Sequence, residues 1–215
     1  MLRKIIVFLR RKVRYGLKNV INKRDISRIG DKEFVVVANN CWGGEIYQWY
    51  KRPYNSPFIG LFLFGPCYLK LVSNFNHYMN QELVFVEQSK YPNDRKYPVA
   101  QLDDIEIQFS HYKSAEEARE KWTRRTERMK QVTNTNNYYF KICDRELCTV
   151  DHIEKFHQLP LKNKLSFAVK PLKSKNSNHI VMQESFRNEG KCVPNGVKTF
   201  KLTFIYYNLT KWFLN

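Results

Sequence analysis

The chain has 215 residues, 43% of them hydrophobic and 15% aromatic, with a formal net charge of +17. That length suits one domain with a sizeable core, and the composition excludes a disordered or fibrous chain. A positive surplus this large calls for an anionic partner: nucleic acid, an acidic membrane surface or a phosphorylated substrate.

Residues 2–22 are predicted as an amphipathic helix, because Leu2, Ile6, Leu9, Val13, Leu17 and Val20 recur at spacings of three and four. Arg3, Lys4, Arg10, Arg11, Lys12, Arg14 and Lys18 occupy the remaining positions. Two readings follow. The helix either lies in the headgroup region of an anionic membrane, or packs its stripe on the domain and leaves its charges in water. The apolar run Ile5 to Leu9 is too short for a signal-peptide core, and no run is long enough to span a bilayer. Residues 1–30 are therefore assigned to this helix and a linker, and residues 31–215 to a single α/β domain.

Glu33 to Ala38 is a continuous apolar run rich in β-branched residues, expected as a strand buried on both faces. Asn39 to Gly44 should form a tight turn and Glu45 to Lys51 a helix. Beyond Pro53 and Pro57, Phe58 to Phe64 is apolar and stops at Pro66. Tyr68 to Met79 has helical spacing, and Glu82 to Glu87 reads as a strand. A polar loop lies between Pro92 and Pro98. Asp104 to Phe109 alternates, predicting a strand with one polar face. Ser114 to Gln131 is expected to be a helix, with Ser114 as its cap and Glu117 at the capping-box position. Tyr138 to Ile142 is a predicted strand, and Thr149 should cap a helix through Gln158. Lys164 to Lys170 and Ile180 to Gln183 are further predicted strands. Phe200 to Phe213 fits strand or helix. Strands alternating with helices predict an α/β sandwich around a mostly parallel sheet.

In such sheets ligands bind beyond the carboxyl ends of the strands. After the first strand come Asn39 and Asn40, whose amides can hold a polar ligand, and Cys41. Gly43 and Gly44 allow close backbone approach. Cys41 is a candidate nucleophile if the following helix end stabilises its thiolate; the commoner outcome is a buried structural thiol. After Phe109 come Ser110, His111 and Tyr112. Histidine is suited to proton transfer near neutral pH, so His111 is the candidate acid or base, against a plain loop histidine. Arg124 and Arg128 share a helix face that water can solvate. Arg125 lies on the apolar stripe with Trp122, and a buried arginine there needs an anionic partner, either a carboxylate or a substrate phosphate. Asp144 follows the next strand and either binds or orients a group or simply forms the turn. No His-x-x-x-His pair occurs, so no metal is indicated. Five cysteines, an odd number without Cys-x-x-Cys, fit reduced thiols in the cytoplasm better than disulfides. No nucleic-acid-binding signature is present, so nucleic acid is not expected as a partner.

Asn39-Asn40-Cys41-Trp42-Gly43-Gly44 with Tyr47, then Ser56-Pro57-Phe58, His111-Tyr112 and Trp122-x-Arg124-Arg125-x-x-Arg128, resemble a bacterial family of unknown function, domain family 1919. Its members are often labelled exopolysaccharide or capsule biosynthesis proteins. The resemblance implies a Rossmann-like three-layer fold and a link to surface-glycan assembly, without an established reaction. It leads to the expectation of a transferase acting on a small or lipid-linked sugar, with a nucleotide sugar or acyl-CoA as donor. His111 and Cys41 are then the catalytic candidates. Asn39, Asn40, Trp42, Gly43, Gly44, Tyr47, Ser56, Tyr112, Arg124, Arg125, Arg128 and Asp144 are the ligand-binding ones. The alternative is a non-catalytic module that binds an anionic glycan or lipid-linked intermediate. Either is expected in the cytoplasm, free there or held peripherally on the inner face of the membrane.

Overall fold

The computed structural model describes residues 2–91, 96–182 and 191–215, apart from the side chains of residues 2–4, 7, 11 and 14. Four parallel strands form the main sheet: β1 (Val35–Ala38), β5 (Tyr138–Cys143), β6 (Asn163–Ala168) and β7 (His179–Val181), in the order β1-β5-β6-β7. Three more strands, β2 (Val84–Val86), β3 (Val99–Leu102) and β4 (Ile105–Gln108), form a separate antiparallel sheet. The chain is thus a mixed α/β protein, with two sheets among the described residues, and the mostly parallel sheet expected from the sequence is present.

Every residue of β1 is buried, and alternation sends its side chains into two cores. Val36 and Ala38 pack with α1 (Leu2–Ile29), α2 (Trp42–Tyr50), α7 (Gly196–Tyr206) and α8 (Leu209–Leu214). Val35 and Val37 join the opposite core with α3 (Gly65–Ser73), α4 (Phe75–Tyr78), α5 (Ala115–Lys130), α6 (Val150–Gln158) and the antiparallel sheet. The aromatic segment from Phe200 to Phe213 resolves into two helices, broken at Tyr207 and Asn208.

Local signals set several boundaries. Ser114 Oγ accepts from Glu117 N at 3.2 Å, capping α5, while the Glu117 carboxylate reaches Lys113 N instead of closing the box on Ser114. Thr149 caps α6, and His152 returns the bond by accepting from Thr149 N. The helix expected over Tyr68 to Met79 is broken at Asn74. The N-terminal helix runs to Ile29 rather than stopping near residue 22, because its last turns dock: Trp49 Nε1 donates to Asp25, and Ile29 is buried. The strand expected through Gln183 ends at Val181; Gln183 and most of the loop after Pro92 lie outside the described residues.

Two corrections bear on the site. The helix after β1 begins at Trp42, so Gly43 and Gly44 form its first turn rather than a preceding loop. A Cβ on Gly43 would stand 3.2 Å from Ala38 Cβ, so this glycine lets α2 pack closely on β1. Second, the strand before His111 belongs to the antiparallel sheet, where the carboxyl-edge rule does not apply. Its expected polar face is also buried: Glu106 accepts from Ser89 Oγ at 2.7 Å, Lys90 N at 2.8 Å and Gln108 Nε2 at 3.2 Å. The segment around Phe62 joins the two sheets. Phe62 exchanges both backbone bonds with Gln108, and Leu63 N donates to the Asn39 carbonyl.

Candidate functional site

That stitch carries His111 to the end of β1. Gly60, with φ of +77°, accepts His111 N at 3.0 Å, and a Cβ on Gly60 would meet the Tyr112 ring at 3.1 Å. The result is a contact between the two catalytic candidates: Sγ of the half-buried Cys41 stands 3.1 Å from Nε2 of the exposed His111. Cys41 is the residue from which α2 starts, and its thiol caps nothing.

Several effects compete over that thiol. Burial raises its pKa and is the largest; Glu146 and Glu45 push the same way, against a backbone hydrogen bond and Lys141. Helix N-termini favour thiolates. Here burial wins, so the thiol rests protonated and needs a base to become a nucleophile. The imidazole in contact with it is that of His111.

Beneath the contact lies a group that the sequence analysis passed over. Lys141, fully buried in the middle of β5, donates from Nζ to Asn39 Oδ1 at 3.2 Å and to Asn40 Oδ1 at 3.1 Å. Its amine stands over the Trp42 ring, 5.7 Å from the centroid. A lysine flanked by Phe140 and Ile142 in a buried strand was the visible signal. The two asparagine amides are spent on this network: Asn39 Nδ2 also donates to the Cys143 carbonyl, and Asn40 Nδ2 to Cys143 Sγ. Both residues are buried with protein partners, and Asn40 Oδ1 further accepts from Trp42 N at 3.3 Å. Gly196, also passed over, starts α7 against this turn; a Cβ there would stand 2.5 Å from Trp42 N.

Other sequence candidates hold the scaffold. β1 is an edge strand, and such edges leave unpaired backbone groups. Tyr47 Oη accepts from Val36 N at 3.0 Å, and Ser56 Oγ donates to the Val36 carbonyl at 2.6 Å. Trp42 is a core residue whose Nε1 donates to Thr203 Oγ1. Asp144 accepts from Val169 N and Val193 N at 2.7 and 2.9 Å, joining the ends of β5 and β6 to the segment before α7. Burial is the main cause of its raised carboxyl pKa, against those two bonds.

The arginines divide. Arg125, 8% exposed, donates from Nη1 to Tyr112 Oη at 2.7 Å and to the Ile59 carbonyl at 3.3 Å, with its guanidinium stacked over Tyr54. Its protein partners are a phenol, a carbonyl and a ring, so among the described residues no carboxylate serves as the anionic partner expected of it. Arg128 reaches the Tyr54 carbonyl. Arg124 pairs with Glu120 at 3.5 Å and lines a separate groove with Phe85 and Arg119. Cys41, His111, Tyr112 and Arg125 therefore form one connected patch, with Arg128 at its side. Among the described residues no group of three or more His, Cys, Asp or Glu side chains could hold a metal ion.

Fold and site define an α/β protein with a thiol–imidazole pair at the carboxyl end of a parallel edge strand. The chain belongs to a family described as a domain of unknown function, DUF1919, whose profile matches residues 12–213. It is also 34% identical over 206 residues to an uncharacterized protein of Haemophilus influenzae (strain ATCC 51907 / DSM 11121 / KW20 / Rd), covering 92% of this chain and 96% of that one.

Proposed function

We propose that the chain is a transferase of bacterial surface-polysaccharide assembly that moves an acyl group through Cys41. The contact of Cys41 Sγ with His111 Nε2 at 3.1 Å carries this reading. His111 takes the thiol proton as sulfur attacks the carbonyl of an acyl thioester, and returns a proton to the departing thiol. An acceptor hydroxyl then attacks the thioester on Cys41, giving its proton to His111, and Cys41 leaves as the thiol. Glycosyl transfer, the other chemistry consistent with such a pathway, gives a thiol no comparable part. The link to polysaccharide rests on the family resemblance alone.

The parallel sheet with helices on both faces supports a Rossmann-like sandwich, in which ligands gather at this edge. Arg125 and Arg128 favour an anionic donor such as acyl-CoA. The odd number of cysteines, with no Cys-x-x-Cys, supports a cytoplasmic setting.

The test is intact-mass analysis after incubation with acetyl-CoA and, separately, with nucleotide sugars. One added acyl group that maps to Cys41, and is absent from Cys41→Ala, is expected. Thermal stabilisation by nucleotide sugars alone, with Cys41 unmodified, would refute acyl transfer. A second reading, a non-catalytic module for an anionic glycan, is favoured by the raised thiol pKa. It predicts that Cys41→Ala and His111→Ala leave cellular glycan product intact.

A further inference from the structure

The first two-thirds of α1 leaves apolar side chains in water. Ile5, Ile6, Leu9, Val13, Leu17 and Val20 are between 41% and 67% exposed. At ~100° per residue they span an arc of roughly 120° on one side of the helix. The residues by which α1 docks lie on another side. Ile21 packs against the domain core, Asn22 Nδ2 donates to the Trp49 carbonyl, Asp25 accepts from Trp49 Nε1, and Ile29 is buried. The centre of that docking face is roughly 150° from the centre of the stripe. Lys18, on the docking side, lies within electrostatic reach of Glu45 on α2. The stripe therefore points away from the domain that the helix is anchored to.

Charge identifies what covers it. Residues 1–24 contain nine lysines and arginines and no acidic residue; Asp25 is the first. A second copy of the same helix would bring nine positive charges against nine, within a chain already at +17. An anionic bilayer supplies both needs, acyl chains for the stripe and acidic headgroups for the flanking cations. Lys12 Nζ lies 5.7 Å from the centre of the Phe8 ring, the posture of a lysine that covers apolar surface with its stem. Among the described residues no helix is long and apolar enough to cross a membrane, so the contact is one of lying flat.

We infer that α1 docks this protein onto anionic phospholipid, with Ile5, Leu9, Val13 and Val20 toward the acyl chains and the domain on the aqueous side. The docking is independent of the chemistry at Cys41. The test is co-sedimentation of the full chain with vesicles of phosphatidylcholine alone and with vesicles of phosphatidylcholine and phosphatidylglycerol in equal amounts. Gel filtration is run alongside. The full chain should pellet with the anionic vesicles and stay in solution with the neutral ones. Leu9→Glu/Val13→Glu should weaken pelleting at least about tenfold. Its urea midpoint should match that of the parent chain, because both positions are exposed. Failure of the parent chain to pellet with anionic vesicles overturns the proposal, as does undiminished pelleting of the double variant. A dimer that the double variant abolishes, with no vesicle binding by either protein, would assign the stripe to self-association instead.

Discussion

Replacing Asn40 with alanine should cost far more stability than replacing the lysine it holds. In Asn40→Ala, Lys141 loses one of its two hydrogen-bond acceptors in a fully buried setting. Bonds to charged groups contribute about 1.5–3 kcal/mol each. Trp42 N, in the first turn of α2, also loses its partner, at about 1 kcal/mol for a lost cap. The expected loss is about 2.5–4 kcal/mol, a large part of the roughly 5–15 kcal/mol that holds a domain folded. Lys141→Met removes the amine itself. It leaves an apolar side chain between the Trp42 and Phe167 rings, which flank the amine at 5.7 and 6.0 Å. Asn40 Oδ1 keeps Trp42 N as a donor. Asn39 Oδ1 keeps Cys143 Sγ as a donor at 3.6 Å, so neither amide oxygen is left without a partner and the change should stay within about 1 kcal/mol. In the Lys141→Met background, Asn40→Ala should then cost only the cap, about 1 kcal/mol. Urea unfolding followed by tryptophan fluorescence gives the full cycle, with an expected coupling of about 1.5–3 kcal/mol. If the two substitutions add within about 0.5 kcal/mol, or if Lys141→Met is the worse of the pair, the asparagines do not serve to satisfy Lys141.

Three further outcomes are expected. Gly196→Ala places a Cβ 2.5 Å from Trp42 N and 2.9 Å from Asn40 Oδ1; it should lower stability by about 1–3 kcal/mol, and an unchanged urea midpoint would show that α7 does not press on the Cys41 turn. His157 has its pKa lowered from 6.5 to about 4, by burial first and then by the charges of His179 and Lys164. The unfolded chain binds the proton more readily, so this contribution is present above pH 6.5 and lost as pH falls toward 4. With the shift discounted for partial exposure, the loss is at most about 2 kcal/mol, and it should shrink in His157→Gln when urea midpoints at pH 7 and pH 5 are compared. Alkylation of Cys41 by iodoacetamide should keep accelerating above the ordinary thiol range, because burial raises its pKa. His111→Ala should slow it near neutral pH, and peptide mapping that finds equal rates in both proteins argues against His111 as the base.

Much of the frame was legible because its causes are local. Val35-Val36-Val37-Ala38 is apolar on both faces and is buried on both. Ser114 and Thr149 are polar side chains placed to accept from the first turn of a helix, and both do. Misreadings arose where distant segments decide. Glu106 and Gln108 alternate with isoleucines as if one face met water, but the segment bearing Ser89 and Lys90 folds over them. The start of α2 looked like a glycine turn because nothing local says that Gly43 must press on Ala38.

The site divides in the same way. Sequence singled out Cys41 and His111 separately, by residue chemistry and by position after a strand. For His111 the positional argument was wrong, since its strand lies in the other sheet; Phe62, paired with Gln108 and adjacent to the Leu63 bond to Asn39, brings the imidazole to the thiol. Sequence likewise marked Asn39, Asn40, Tyr47 and Ser56. The structure shows them holding a buried lysine and the free edge of β1. By itself the sequence determined the strands around Val36, Phe140 and Leu165, the capped helices that follow Ser114 and Thr149, and that α1 carries an apolar stripe among cations, since periodicity, capping and charge act over a few residues. Only the tertiary structure decided that the stripe faces away from the domain and that Cys41 meets His111, because both depend on how segments far apart in the chain pack together.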